Sequence, residues 1–424
     1  MNLKRKDFIK LSALAVTAGT ISGFSSCSGP AVSKENKSAL ASIAADAKPI
    51  STAERESRID KAQQLLIKNN MAALVLDCGT SLEYFTGVSW WPSERTMVAI
   101  IPAKGTVKYV CPAFEEARLK EQITIGKDVY VWQEDESPYR LIVNVLKDAG
   151  IQTGTIGMEE RLRYFILDGI QKEAPNFSYV SGDPVSVECR IIKSEAEIAL
   201  MQKANDITLA AIQHSAAQLK EGMSQGDLSS MIMSAQRDLG GDPDFALCLF
   251  GKDAAFPHGT KTPSKLKKGE IVLMDCGCRV YGYSSDITRT IVFGANPTPR
   301  QLSVWNLEKE AQAAGFAAAE NGSPCDDIDA AARKVITDAG FGPGYKLPGL
   351  PHRTGHGIGM DGHEWGNALK DNKRLLQPGM CFSIEPMIAI PGEFGIRLED
   401  CVHMTEKGPK WFSKTSKSLA EPFG

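Results

Sequence analysis

Three of the chain's six histidines fall within thirteen residues, His352 to Glu364, in the run His-Arg-Thr-Gly-His-Gly-Ile-Gly-Met-Asp-Gly-His-Glu. Glycines at 355, 357, 359 and 362 separate them. Each Gly inside a helix costs about 1 kcal/mol relative to Ala, so this stretch is not a helical zinc motif of the His-Glu-x-x-His kind. The pattern predicts a tight backbone path that brings imidazoles close to a ligand.

Two pairs of carboxylates flank the stretch. Asp275 ends the apolar run Ile-Val-Leu-Met-Asp, and Asp286 opens Asp-Ile-Thr-Arg-Thr-Ile-Val-Phe, which is rich in strand-forming residues. Their midpoint lies between Val280 and Tyr281, beside Gly282, so a hairpin turning there sets the two acids directly opposite. Cross-strand Cβ atoms are about 5 Å apart, and two like charges that close need a cation between them. Downstream, Glu385 and Glu399 are centred in the same way on Gly392. Four carboxylates and an imidazole form an oxygen-rich set, suited to a pair of Mn²⁺, Co²⁺, Fe²⁺ or Zn²⁺ ions rather than to a Cys-rich structural zinc.

In these residues the chain resembles the creatinase/aminopeptidase-P/prolidase family of M24 "pita-bread" metallopeptidases, in its Xaa-Pro peptidase branch. The matching positions are Asp275, Asp286, His356 in Gly-His-Gly-Ile-Gly, Glu385 in Ser-Ile-Glu-Pro and Glu399 in Arg-Leu-Glu-Asp. The resemblance runs over nearly all of the chain after residue 50. It implies an α/β chain of two domains, an N-terminal creatinase-like α/β domain and a C-terminal α+β pita-bread catalytic domain. It also implies two divalent ions per chain, Mn²⁺ first and Co²⁺, Zn²⁺ or Fe²⁺ as alternatives. Asp275 binds one, Asp286 and Glu399 bridge both, and His356 and Glu385 complete the second site. The implied reaction is hydrolysis by a metal-bridging hydroxide, with Glu385 handling the proton. His258, in Pro-His-Gly, and His363 are implied to flank the substrate and stabilise the tetrahedral intermediate. His352 and Arg397 are implied to bind substrate and orient the ligands.

The implied substrate is a peptide with proline second, cut between the amino-terminal residue and proline, by an Xaa-Pro aminopeptidase or an Xaa-Pro dipeptidase. Such a bond is a tertiary amide without an N–H. A homodimer or homotetramer is common in the family. Two other readings use the same fold: a metal-free creatinase-like amidinohydrolase and a non-hydrolytic binding protein. The filled ligand set and the presence of His258 and His363 weigh against both.

A chain of 424 residues is too long for one core, which predicts two domains. With 43% hydrophobic and 23% charged residues and a net charge of −3, it lacks the basic excess of a nucleic-acid binder. Residues 1–27 read as an export signal. Lys4, Arg5, Lys6 and Lys10 precede a mildly apolar run, Leu11 to Phe24, that is short for a membrane span. Lys-Arg-Lys resembles a twin-arginine signal with one arginine replaced, and Phe-Ser-Ser-Cys27 resembles a bacterial lipobox. An exported, periplasmic or membrane-anchored lipoprotein is the expectation, with any membrane contact through a lipid on Cys27. Residues 28–52 read as a disordered tether, residues 53–188 as the α/β domain and residues 189–424 as the catalytic domain. Trp90, Trp91 and Arg95 sit on an expected loop, either packed on their own domain or covering an active site. Ser194 with Glu197 is a capping box that starts a long helix. Nine cysteines remain beyond Cys27, an odd number that argues against a disulfide scaffold.

Overall fold

The computed structural model describes residues 40–424. The expected signal, Cys27 and the first part of the tether lie outside the described residues. The tether's remainder does not run free. Leu40, Ala44 and Ala47 pack on the core and Ile50 is buried within it. The Ile43 N–H donates to the Leu239 carbonyl at 3.0 Å, and Lys203 pairs with Asp46 at 2.8 Å. The Ser- and Ala-rich stretch has no periodic apolar pattern, so its composition did not signal this packing.

The N-terminal part opens with helix α1 (Thr52–Lys68), capped by Ser51, whose hydroxyl accepts from Glu54 N–H at 3.1 Å. A six-stranded sheet follows, in the order β4-β3-β2-β1-β5-β6. Its strands are β1 (Met71–Asp77), β2 (Val98–Pro102), β3 (Lys108–Pro112), β4 (Asp128–Trp132), β5 (Gly154–Met158) and β6 (Phe177–Ser181). Helices α2 (Thr80–Thr86), α3 (Glu116–Gln122), α4 (Pro138–Asp148), α5 (Tyr164–Glu173) and α6 (Asp183–Arg190) connect and cover it. Central strand β1 reads as an unbroken apolar run because both of its faces are buried. Leu74 and Leu76 join α1 in one core, while Ala73 and Val75 join Ile142 and Leu146 of α4 in another.

The C-terminal part alternates helix pairs and sheets. Helices α7 (Glu195–Ala216) and α8 (Gln225–Asp238) each start in a capping box, Ser194 with Glu197 and Ser224 with Asp227. They cover a sheet ordered β10-β8-β7, made of β7 (Asp242–Phe250), β8 (Ile271–Val280) and β10 (Ile287–Val292), with the short β9 (Tyr283–Ser284) paired to β8. The next helix pair is α9 (Pro299–Ala318) and α10 (Cys325–Asp338). A five-stranded sheet ordered β12-β11-β13-β16-β17 follows. Its strands are β11 (Gly355–Gly357), β12 (Glu364–Ala368), β13 (Cys381–Ile384), β16 (Asp400–Thr405) and β17 (Gly408–Trp411). Strands β14 (Met387–Ile390) and β15 (Phe394–Arg397) form a separate ribbon. The helix-pair-then-sheet order recurs, but the sheets differ in strand number, so any internal repeat is one of plan only. The two sheets touch where Thr288 and Glu399 form an isolated bridge. All nine described cysteines are free thiols. No described helix is long and apolar enough to cross a membrane.

Candidate metal centre

Strands β8 and β10 supply the first two acids, in a register that corrects the expected one. The hairpin turns at Tyr281 and Gly282, both at positive φ (47° and 83°), and pairs Val280 with Tyr283. Asp275 therefore stands opposite Thr288, and Asp286 falls in the gap before β10. The displacement is two residues. Side chains alternate with a period of two along a strand, so both acids still point to one face. Tyr281 in a left-handed conformation gives little sequence signal, which is why the turn appeared one position earlier.

The second pair is as expected. Ile384–Asp400 and Met387–Arg397 hold one register on either side of Glu385 and Glu399, and the ribbon turns at Gly392 (φ 84°). The glycines of the histidine stretch serve close packing. A Cβ on Gly355 would lie 1.9 Å from the Ser383 carbonyl oxygen, and one on Gly357 would lie 1.6 Å from that of Trp365. These contacts seat β11 between β12 and β13 and bury His356 among the acids.

His356 Nδ1 lies 3.1 Å from the Gly357 carbonyl, which only accepts, so Nδ1 carries the proton and Nε2 offers its lone pair. That Nε2 is 3.2 Å from Glu385 Oε1, 3.6 Å from Asp286 Oδ2 and 4.0 Å from Glu399 Oε1. Two groups of potential ligand atoms lie within 4.8 Å of one another: His356, Glu385 and Glu399, and Asp275, Asp286 and Glu399. A third group joins Asp286, His356 and His363, the last exposed on the cavity side.

The electrostatics call for cations. Burial raises the pKa of Asp286, and Glu399 and Asp275 raise it further. Burial also raises Glu399, helped by Glu385 and Asp275. Burial outweighs the Arg397 guanidinium at Asp275, so that acid is raised too. Glu385 goes the other way: burial alone would raise it, but pairing with His356 holds it below the usual carboxylate range. Arg397 hydrogen-bonds Asp275 Oδ2 and takes up one of its oxygens. Asp275 Oδ1, Asp286 Oδ1 and Glu399 Oε1 remain buried with no hydrogen-bond partner among the described residues. Three orphaned carboxylate oxygens converging in one place are costly unless a cation satisfies them. The residues therefore fit a divalent metal centre.

Above these groups opens a cavity of about 730 Å³, lined by His258, His352, His363, Arg353, Phe245, Leu247, Tyr345 and Leu369 as well as the acids. All the expected site residues thus meet at one place. His352 donates from Nδ1 to the Arg353 carbonyl at 2.7 Å, leaving Nε2 buried and unpaired, and burial lowers its pKa. His363 packs its ring 4.0 Å from that of His356. Burial, His356 and Arg353 lower its pKa to about 4. Trp90, Trp91 and Arg95 do not line the cavity. Trp90 stacks under Arg118 and Arg95 pairs with Glu134, while Trp91 is 84% exposed.

Sequence reasoning missed Thr288, Arg353 and Glu364. Thr288 anchors Glu399 at 2.8 Å. Arg353 carries a guanidinium with no acidic partner among the described residues. Only its place in the histidine stretch marked it in the sequence.

A family model for the creatinase/prolidase N-terminal domain matches residues 58–192, and one for metallopeptidase family M24 matches residues 199–406. The chain is 32% identical to an Xaa-Pro dipeptidase of Lactobacillus helveticus, over 85% of this chain and 98% of that one. It superposes on dipeptidase PepE of Mycobacterium ulcerans with a TM-score of 0.80 and 30% identity, covering 88% of this chain and 99% of that one. A prolidase of Thermococcus sibiricus gives a TM-score of 0.77 and 30% identity, covering 85% and 97%. The C-terminal part has the pita-bread fold, the N-terminal part is creatinase-like, and the chain belongs to metallopeptidase family M24.

Proposed function

We propose that the chain is a dinuclear metallopeptidase that hydrolyses the bond between an amino-terminal residue and proline. The observation that carries this reading is the convergence of three orphaned buried carboxylate oxygens with the Nε2 lone pair of His356 beneath a cavity rimmed by histidines. Asp275, Asp286, His356, Glu385 and Glu399 would hold two divalent ions, Mn²⁺ first among them. When bound, such ions polarise a carbonyl and ionise water near neutral pH. Glu385, buried at the cavity floor with Oε1 3.2 Å from His356 Nε2, is placed to take the water's proton. His258 and His363 face the cavity as donors for charge developing on the scissile carbonyl oxygen. Arg397, itself on the cavity wall, holds Asp275 in orientation, and His352 borders the cavity with an Nε2 that has no partner among the described residues.

The apolar wall of Phe245, Leu247 and Leu369 suits a pyrrolidine ring. The relatives named Xaa-Pro dipeptidase and prolidase support the proline assignment. Between the two exopeptidase types, the unpaired Arg353 favours the dipeptidase, because it offers a positive charge in the cavity for a substrate's free carboxylate. The test compares Ala-Pro and Ala-Pro-Ala with Ala-Ala and Ala-Ala-Ala under Mn²⁺, Co²⁺ and Zn²⁺. Ala-Pro is expected to be cleaved fastest. A preference for the peptides without proline under every metal removes the assignment, and faster cleavage of Ala-Pro-Ala makes the enzyme an aminopeptidase. The basic leader and Cys27 support a further proposal of export with lipidation at that cysteine. Labelling with a palmitate analogue that is lost in Cys27→Ala supports it, and labelling equal in both or absent from both overturns it.

A further inference from the structure

His363 makes no hydrogen bond through its ring among the described residues, so its direction over the cavity depends on how its backbone is held. The two acids beside it provide that hold. Glu364, the next residue, has a side chain only 1% exposed, wedged between Arg190 Nη2 at 2.5 Å and Lys193 Nζ at 2.8 Å. Asp361, two residues before His363, pairs with Arg190 at 2.7 Å and with Arg161 at 3.0 Å, and accepts from Thr80 Oγ1 at 2.7 Å. Arg190 also donates to Ser81 Oγ at 3.1 Å, and Ser81 donates to Glu159 at 3.0 Å.

Every outside partner in this cluster comes from the N-terminal domain or the segment joining it to the catalytic domain. The loop is shaped around the buried carboxylate: a Cβ on Gly359 would lie 2.6 Å from Glu364 Oε2 and 2.8 Å from Lys193 Cε. Lys193 is tied in turn to the catalytic half by its N–H to the Gly379 carbonyl at 2.8 Å. A buried ion cluster is a poor source of net stability compared with apolar packing, and its best-attested use is to fix one geometry.

We propose that the Arg190–Glu364–Lys193–Asp361 cluster is the positioning device for His363, through which the N-terminal domain governs turnover at a site it does not line. The proposal rests on the role given to His363 above. It is tested with the metal-loaded full-length chain on Ala-Pro, with variants Thr80→Val, Lys193→Met, Lys193→Arg and Glu364→Gln made in the wild type and in His363→Ala. Lys193→Met and Glu364→Gln are expected to lower kcat about 10- to 100-fold, since misplacing a catalytic group by roughly 1 Å has that effect. KM, metal content per chain and a cooperative melting transition are expected to be kept, and Lys193→Arg is expected to restore most of kcat. In the His363→Ala background none of the substitutions is expected to lower kcat further.

Losses that multiply with that of His363→Ala, or an unchanged kcat in Glu364→Gln, overturn the proposal. If the buried-charge variants fail to fold, Thr80→Val decides. It removes one hydrogen bond at a partly exposed position and is expected to lower kcat about 2- to 5-fold, an effect absent in His363→Ala. If the wild type leaves Ala-Pro intact, it is the functional reading that fails. Crystal structures of the wild type and of Thr80→Val then decide the positioning directly. A ring displaced or split in the variant supports the proposal, and an unmoved ring overturns it.

Discussion

Thr288 and Glu399 are joined three times: Thr288 Oγ1 donates to Glu399 Oε2 at 2.8 Å, and the two residues exchange backbone hydrogen bonds of 3.2 and 3.3 Å. The pairing fuses the sheet that carries Asp275 to the sheet that carries His356. It also points Glu399 Oε1 at the acid cluster. The same hydroxyl accepts from Arg397 Nε at 3.1 Å, so one threonine orients both a carboxylate and the cation beside it. Thr288→Val is expected to destabilise the metal-free protein by about 1–3 kcal/mol. It is also expected to weaken metal binding about 10- to 100-fold, as the loss of a ligand's supporting hydrogen bond does elsewhere. Urea unfolding with and without metal measures the first effect and titration with a competing chelator the second.

The acids differ in what each holds. Asp286 and Glu399 contribute atoms to more than one of the ligand groups, so Asp286→Ala and Glu399→Ala are each expected to abolish binding of two ions. Glu385→Gln keeps an oxygen near His356 and is expected to reduce turnover far more than it reduces binding of at least one ion. Plasma mass spectrometry of the dialysed variants counts the ions. Two ions per chain retained in Asp286→Ala would show that the ligand assignment is wrong.

The pH dependence of stability carries the mark of Glu364. Burial alone would raise its pKa, but Lys193 and Arg190 outweigh burial and bring it down to about 2 from 4.5. A carboxyl depressed in the folded state contributes stability that is fully present above its unfolded pKa and is lost as pH falls toward the folded one. For this residue the window is from about pH 5 down to pH 2, and the full difference amounts to roughly 3 kcal/mol. Glu364→Gln is expected to be less stable at pH 7 and to show a flatter fall in urea midpoint between pH 5.5 and pH 3. Parallel midpoint curves for the two proteins would show that the ion cluster does not govern the acid limb.

The glycines of the histidine stretch are not equivalent. A Cβ at 357 would overlap the Trp365 carbonyl oxygen, whereas one at 362 would meet nothing within 4 Å. Gly357→Ala is expected to disrupt the β11 pairing and to cost more than about 3 kcal/mol, in the range of other severe backbone clashes. Gly362→Ala is expected to change stability by less than about 0.5 kcal/mol. Thermal melts of the two variants distinguish them.

Much of this was legible along the chain because the governing patterns are local. The capping box at Ser194 marks a helix start within four residues, and the centring of Glu385 and Glu399 on Gly392 gives their register. Asp275 and Asp286 were assigned to the right face with the wrong partner, since strand alternation survives a slip of two residues while the ladder does not. Thr288, Arg353 and Glu364 were not legible as site residues. Thr288 matters through Glu399, 111 positions away, and Glu364 through Arg190, 174 positions away. No local pattern encodes such meetings. Residues 40–51 settle on a surface that includes Leu239 and Lys203, another distant meeting that their own composition does not encode.

The division of the acids between two sheets makes the centre a witness to the completeness of folding. One sheet brings Asp275 and Asp286 and the other brings His356, Glu385 and Glu399, and the loop between them closes only when both sheets exist. A chain interrupted before Glu399 lacks the acid that joins two of the ligand groups and has no seam. Cation retention is therefore expected to track completed folding, because the ligands meet only in the finished molecule.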